Sequence, residues 1–213
     1  MGRKDKLLAR PAKSRVLIRP PELGDCVAFV AAVRRSRAFL RGWITLKAGT
    51  PAAYRKFLKR LAAHSHHGFL VIHRESGDLV GMIALGNIIR GNFKGCIVGY
   101  NAFLPHAGKG FMREGMRLVL RHAFRKLKLH RVEADIQPHN RRSRALARAC
   151  GFVCEGLSRR MVKVAGRWRD HERWVILAED FPVASRGLIS TMAKWKPTRP
   201  KPAIRTTPSA SSP

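Results

Sequence analysis

The 213-residue chain carries 43 Lys+Arg against 13 Asp+Glu, a formal charge of +30 at neutral pH, while hydrophobic residues still make up 45% of it. That apolar share supports one domain-sized core and excludes global disorder, and the charge favours polyanionic partners while disfavouring small polycations as substrates. No apolar run approaches the roughly 18 residues of a membrane span, the basic start at Arg3, Lys4 and Lys6 leads into no secretory leader, and the scattered cysteines form no metal pattern, so no membrane, no metal and a reduced cytoplasmic compartment are expected.

Residues 1–13 read as a flexible basic extension and 14–181 as one domain. Residues 182–213 hold six prolines, six Lys/Arg and no acidic residue, and read as a disordered basic tail rich in Pro, Ser and Thr. Alternation from Arg15 to Arg19 predicts a strand closed by Pro20-Pro21. From Leu23 to Phe39 the spacing of Phe29, Val30 and Val33 predicts one helix with Arg34, Arg35 and Arg37 on its wet side. Thr50-Pro51 caps a second helix reaching Ala63. Phe69–His73 and Leu79–Leu85 predict a hairpin turning at Ser76-Gly77-Asp78, and Lys94–Phe103 a further strand. After a loop from Leu104 to Gly110, a long helix runs to about Leu127, its basic C-terminal end suited to the helix dipole. His130–Ile136 predicts a strand and Arg142–Cys150 a short helix stopped by Gly151. Phe152–Cys154 starts another strand, and Arg159–Val164 and Trp168–Leu177 form an antiparallel pair. The fold class is α+β: a mixed, mostly antiparallel sheet flanked by helices, with one central β-α-β unit containing a parallel pair.

The segment from Phe103 to Met112 runs a strand through Gly108-Lys109-Gly110 into the long helix. Glycines admit a ligand close to the backbone, free N–H groups at a helix start hold anionic oxygens, and Lys109 adds charge at the rim. The residues mark an anion site. The signatures of a nucleoside-triphosphate loop and of a dinucleotide loop are both absent.

The stretch from Gly108 to Phe152 resembles the GNAT superfamily of N-acetyltransferases, and Arg15 to about Ala178 is similar to its subgroup acting on N-terminal amines of ribosomal proteins. Carrying the resemblance are Arg37-Ala38-Phe39-Leu40-Arg41-Gly42-Trp43, Gly108-Lys109-Gly110-Phe111-Met112-Arg113-Glu114, His130-Arg131-Val132-Glu133-Ala134, Pro138-His139-Asn140-Arg141-Arg142-Ser143, Cys150-Gly151-Phe152 with Glu155-Gly156, and Gly166-Arg167-Trp168-Arg169-Asp170-His171. The resemblance implies a fold with a central β-α-β acetyl-CoA site. Gly108, Lys109, Gly110, Phe111 and Met112 would enclose the pyrophosphate. The backbone of Phe103 and Leu104 would pair with the pantetheine arm, one of their N–H groups facing the thioester oxygen. Asn140 would bond the cofactor near its arm, and Ser143 would lie by the sulfur. Pro105 departs from the family pattern and offers phosphate no donor. The implied acceptor is a ribosomal protein, with the N-terminal alanine of protein S5 the nearest match.

Amine acetylation needs a neutral nucleophile and a proton for the departing sulfur. Many relatives place a tyrosine four residues before the Gly-Phe pair; here Ala147 stands there. With only Tyr54 and Tyr100 in the chain, no tyrosine is expected near that helix. Ser143 is the replacement candidate, or an ordinary first-turn cap. For the base, Glu133 shares a strand face with Asp135, Asp170 and His171 open a late strand, and deprotonation through water is the third option. Phe39, Trp43 and Trp168 are expected at the acceptor end, Phe39 and Trp43 also being natural core residues. A small-molecule amine acetyltransferase, or a ribosome- or RNA-binding assembly factor with secondary or lost acetylation, remain the alternative readings. Non-specific rRNA contact through the basic surface and tail, and a monomeric or weakly dimeric state, complete the expectations.

Overall fold

The computed structural model describes residues 14–43, 49–61 and 65–182. The extension 1–13 and almost all of the predicted tail lie outside those residues. Seven strands form one sheet in the order β1-β2-β3-β4-β5-β7-β6: β1 Val16–Arg19, β2 His67–His73, β3 Leu79–Ile89, β4 Gly95–Ala102, β5 Arg131–Ile136, β6 Val153–Val164 and β7 Arg167–Leu177. Every neighbouring pair is antiparallel except β4 and β5. The helices are α1 Cys26–Arg35, α2 Arg37–Leu40, α3 Pro51–Leu61, α4 Phe111–Arg125 and α5 Arg141–Ala149.

One face of the sheet is covered by α4 and α5. Met116, Val119, Leu120 and Ala123 of α4 recur at helical spacing and are essentially fully buried against Val71, Val80, Ile83 and Val132. Gly115 interrupts this helix at a cost near 1 kcal/mol relative to alanine. A Cβ there would stand 2.9 Å from both Val71 methyls, so the glycine is what lets helix and sheet approach. The opposite face of β2–β4 carries α1 and α3, with Phe29 packed on Tyr54 at 4.8 Å and edge-on to Phe103 at 5.7 Å. Thr50 caps α3 as expected, its Oγ1 accepting from the Ala53 N–H at 3.2 Å.

Three expectations are corrected. The single helix over Leu23–Phe39 is a 3-10 turn at Leu23–Asp25 followed by α1 and α2, broken at Ser36. The break is tertiary in origin: buried Ser36 turns its hydroxyl onto the Leu104 N–H at 2.9 Å, while Arg35 Nε donates to the Leu104 carbonyl at 2.8 Å. The strand begun at Leu79 continues to Ile89 through an irregularity at Asn87, whose φ is 51°. The two strands expected at Phe152–Cys154 and Arg159–Val164 are one strand, β6, which begins at Val153 and stays paired to β7 across two bulges.

Candidate active site

The parallel β4–β5 ladder lasts three residue pairs, Gly95–Arg131, Cys96–Val132 and Ile97–Glu133. Beyond it the strands diverge and leave a cleft of about 870 Å³ through the middle of the sheet. Phe103 N–H donates to the Val80 carbonyl at 2.7 Å, which fixes the parity of β4: Gly99, Asn101 and Phe103 bond toward β3, while Val98, Tyr100 and Ala102 turn their N–H and C=O groups to the gap. Phe103 and Leu104 are therefore not the free edge that the sequence suggests. The Phe103 ring is fully buried in the α1–α3 core and its N–H is taken by Val80, while the Leu104 N–H is taken by Ser36. The edge available to a ligand lies a residue or more earlier, at Tyr100 and Ala102.

At the mouth of the cleft Gly108 and Gly110 both adopt left-handed conformations, with φ of 84° and 83°. The N–H groups from Gly108 to Met112 find no backbone acceptor among the described residues, and Gly110 caps α4 without side-chain help. A Cβ on Gly108 would meet nothing within 4 Å, so the loop encloses open space beside a row of donors. This fits a pyrophosphate held by backbone. Met112 lines the cleft, Phe111 is buried beneath the Arg15 guanidinium at 4.6 Å, and Lys109 is exposed outside the lining. The cations of the lining are Arg113 at this end and Arg141 and Arg142 of α5 instead. Arg15 is also bound to Glu114 in the first turn of α4, with Nε to Oε1 at 2.7 Å. That pairing keeps the Glu114 carboxyl below the usual carboxylate range despite its partial burial and ties β1 to the loop.

On the α4–α5 face, Ser143 and Asn140 sit at the start of α5. Asn140 is the N-cap, its Oδ1 accepting from the Ser143 N–H at 3.1 Å. Against expectation a tyrosine is present: Tyr100 Oη lies 2.7 Å from Ser143 Oγ. Sequence distance hid it, because Tyr100 arrives from β4, 43 residues away. Burial pushes the phenol up to about 12, partly opposed by the bond to Ser143.

The other face of the gap holds Asp135 and His171. Along β5, Val132, Ala134 and Ile136 enter the helix-covered core, so Asp135 points the opposite way. Its Oδ1 is buried without a hydrogen-bond partner. Burial, then the charge of Glu133, pushes this carboxyl upward, with His171 and Arg173 opposing. His171 is 5% exposed and lines the cleft, its Nδ1 donating to the Arg169 carbonyl at 3.0 Å. The neutral ring then has its lone pair on Nε2.

The remaining candidates divide. Phe39 and Trp43 line the cleft, with Arg142 stacked 5.0 Å over Phe39 and His139 packed 5.1 Å from Trp43. Buried Gln137, which the sequence did not single out, holds this wall by donating from Nε2 to the Gly42 and Trp43 carbonyls at 3.1 and 3.3 Å. Glu133 is outside the lining, its Oε1 accepting from Arg131 Nε at 2.6 Å and its Oε2 lying 3.9 Å from Arg173. Asp170 is exposed and accepts from the Arg160 N–H at 2.7 Å. Trp168 is 60% exposed in the β6–β7 hairpin, away from the cleft.

Residues 15–153 match the family model described as an acetyltransferase (GNAT) domain. A probable N-acetyltransferase, YjcK of Bacillus subtilis (strain 168), is 32% identical over 172 residues, covering 78% of this chain and 95% of that protein. The [ribosomal protein uS5]-alanine N-acetyltransferase of Escherichia coli (strain K12) is 33% identical over 104 residues, 49% of this chain and 54% of the length of that enzyme. Among solved structures, Mycobacterium smegmatis RimJ in complex with CoA-disulfide superposes with a TM-score of 0.73 at 28% identity, over 78% of this chain and 84% of that one. Spermidine N-acetyltransferase from Vibrio cholerae, in complex with CoA and spermine, shares the fold alone, at 22% identity and a TM-score of 0.68 over 79% of this chain and 98% of that one.

Proposed function

The chain belongs to the GNAT acetyltransferase family and is an acetyl-CoA-dependent N-acetyltransferase; from that premise we propose that it acetylates the N-terminal amine of a ribosomal protein, the alanine of protein S5 being the first candidate. The reading rests on one arrangement. A gap through the sheet has a Tyr100–Ser143 hydroxyl pair on its helix-covered face and Asp135 with His171 on the other.

Bound acetyl-CoA would supply an activated acyl thioester. The N–H groups of Gly108 to Met112, with Arg113 beside them, hold its pyrophosphate, and the free edge of β4 at Tyr100 and Ala102 pairs with its arm. Asn140 has its Oδ1 committed to the helix cap, which leaves its amide N–H₂ for the ligand. Asp135 attracts the incoming ammonium and His171 Nε2 accepts its proton, so that the amine attacks neutral. A carbon–nitrogen bond forms and the carbon–sulfur bond breaks. The Tyr100 hydroxyl, relayed by Ser143, protonates the departing sulfur, and the second proton shed by the attacking nitrogen returns through solvent to the phenol, leaving one proton net on His171. Glu133 acts through its charge on Asp135, and Asp170 and Trp168 have no part in this step. Phe39, Trp43 and Gln137 shape the acceptor wall.

Two features support a ribosomal acceptor over a polyamine. The relatives of highest identity include the S5-alanine enzyme, and a chain of +30 repels a polycation. The test is incubation with labelled acetyl-CoA and purified unacetylated ribosomal proteins, followed by mass spectrometry of each N-terminus. Label on one ribosomal N-terminus is the expected result; label only on a free small amine overturns the reading.

A further inference from the structure

The distal part of the β6–β7 hairpin, from Ser158 to Asp170, lies outside the cleft lining and, apart from buried Val164, is exposed or half-buried. It carries Arg159, Arg160, Lys163, Arg167 and Arg169 against the single carboxylate of Asp170. All five cations are exposed, and none forms an ion pair among the described residues. The one carboxylate offsets a single charge of the five and forms no ion pair with them among the described residues, its Oδ1 accepting the Arg160 backbone N–H inside the bulge between Ser158 and Val162. Trp168 stands among these charges at 60% exposure, directly across from Lys163.

The distribution over the two faces of the ribbon is what selects a partner. Arg167 and Arg169 share the β7 face of His171, while Trp168 and its cross-strand neighbour Lys163 occupy the other. A flat anionic membrane engages one face of such a ribbon and leaves the other in water. A second copy of the chain in a two-fold contact would set these arginines against themselves. A flexible polyanion with unstacked bases meets both faces, its phosphates on the cations and a base on the indole. We infer that this hairpin is a binding site for single-stranded RNA, anchored by Trp168 and leading along Arg169 toward the mouth of the cleft at His171.

The test uses the full chain without acetyl-CoA, so it is independent of which amine the enzyme acetylates. A fluorescently labelled single-stranded RNA of about 15 nucleotides is titrated by anisotropy across a series of salt concentrations. Replacing Lys163, Arg167 and Arg169 together by glutamine is expected to weaken binding at least tenfold and to flatten the log–log salt slope by about 2, near 0.7 per lost phosphate contact. Trp168→Ala is expected to weaken binding about tenfold with little change of slope, and Trp168→Phe to retain most of it. Wild-type affinity in both the triple variant and Trp168→Ala overturns the inference. So does loss of anionic-vesicle binding in Trp168→Ala with RNA affinity intact, or a dimer in sedimentation that this substitution dissolves.

Discussion

The Tyr100 phenol oxygen lies 2.7 Å from the Ser143 hydroxyl, joining β4 to the first turn of α5 across the helix-covered side of the sheet gap. Burial keeps the phenol protonated up to about 12. Tyr100→Phe is expected to lower kcat about a hundredfold while leaving the Kd for acetyl-CoA within severalfold. Ser143→Ala should lower kcat as well, and the double variant should be little worse than Tyr100→Phe, since the two hydroxyls act as a unit. Because the phenol titrates above its ordinary range, steady-state kcat should not decline between about pH 8 and pH 10 through loss of this proton.

Asp135 sets activity against stability. Its buried, unpartnered oxygen and its raised carboxyl mean that the folded chain holds a proton there more tightly than the unfolded chain does. The charged form therefore opposes folding at neutral pH, and that penalty eases as pH falls through the raised value. Asp135→Asn is expected to raise Tm at pH 7 while reducing kcat/KM for an acceptor peptide about tenfold or more, read by calorimetry and steady-state kinetics. A lower Tm with unchanged kinetics would refute the role.

Gly108 holds a left-handed conformation beside open space, so a side chain there brings both strain and obstruction. Gly108→Val is expected to weaken acetyl-CoA binding at least tenfold by isothermal calorimetry, from strain of about 1–2 kcal/mol and the volume the phosphate needs. Unchanged affinity would remove the pyrophosphate assignment.

Ser36 is fully buried and its hydroxyl is the acceptor for Leu104 N–H. Ser36→Ala leaves that donor unpaired, and the expected loss is about 1–3 kcal/mol of unfolding free energy. Denaturant titration measures it.

His122 lies against His67 and Phe69, both ring nitrogens buried without partners. Burial, then the charges of His67 and Lys126, lowers it from 6.5 to about 4. As pH falls, the unfolded chain takes this proton before the folded chain does. Stability is thus fully present above about 6.5 and is lost progressively down to about 4. His122→Leu is expected to flatten that acid limb in a series of thermal melts.

Local patterns gave away much of the architecture. The alternation of β5, the cap at Thr50, the glycine after α5 and the Gly108–Gly110 loop each announce themselves within a few residues, because periodicity and backbone sign are local properties. What stayed hidden depends on which strand lies beside which. Tyr100 meets Ser143 only once β4 and α5 are folded together. Glu133 and Asp135 look alike on one strand face, yet Arg131 claims the first and the cleft exposes the second. The parity of β4 was legible only from the Phe103–Val80 bond, and so the free edge was expected at Phe103 and Leu104. The Trp-Arg-Asp-His run suggested Trp168, Asp170 and His171 as site residues, but strand alternation and the β6 bulge deliver only the histidine to the cleft.

The brevity of the β4–β5 ladder makes the sheet two leaves, one from the first half of the chain and one from the second, fastened along a short seam and by α4. A ligand that threads the seam and bonds to the exposed edge of β4 works as a missing strand, so it should fasten the leaves as well as react. By mass action the folded state then deepens with the free concentration of that ligand, by RT ln(1 + [L]/Kd). The abundance of acetyl-CoA would in this way set how long the enzyme survives, quite apart from how fast it turns over.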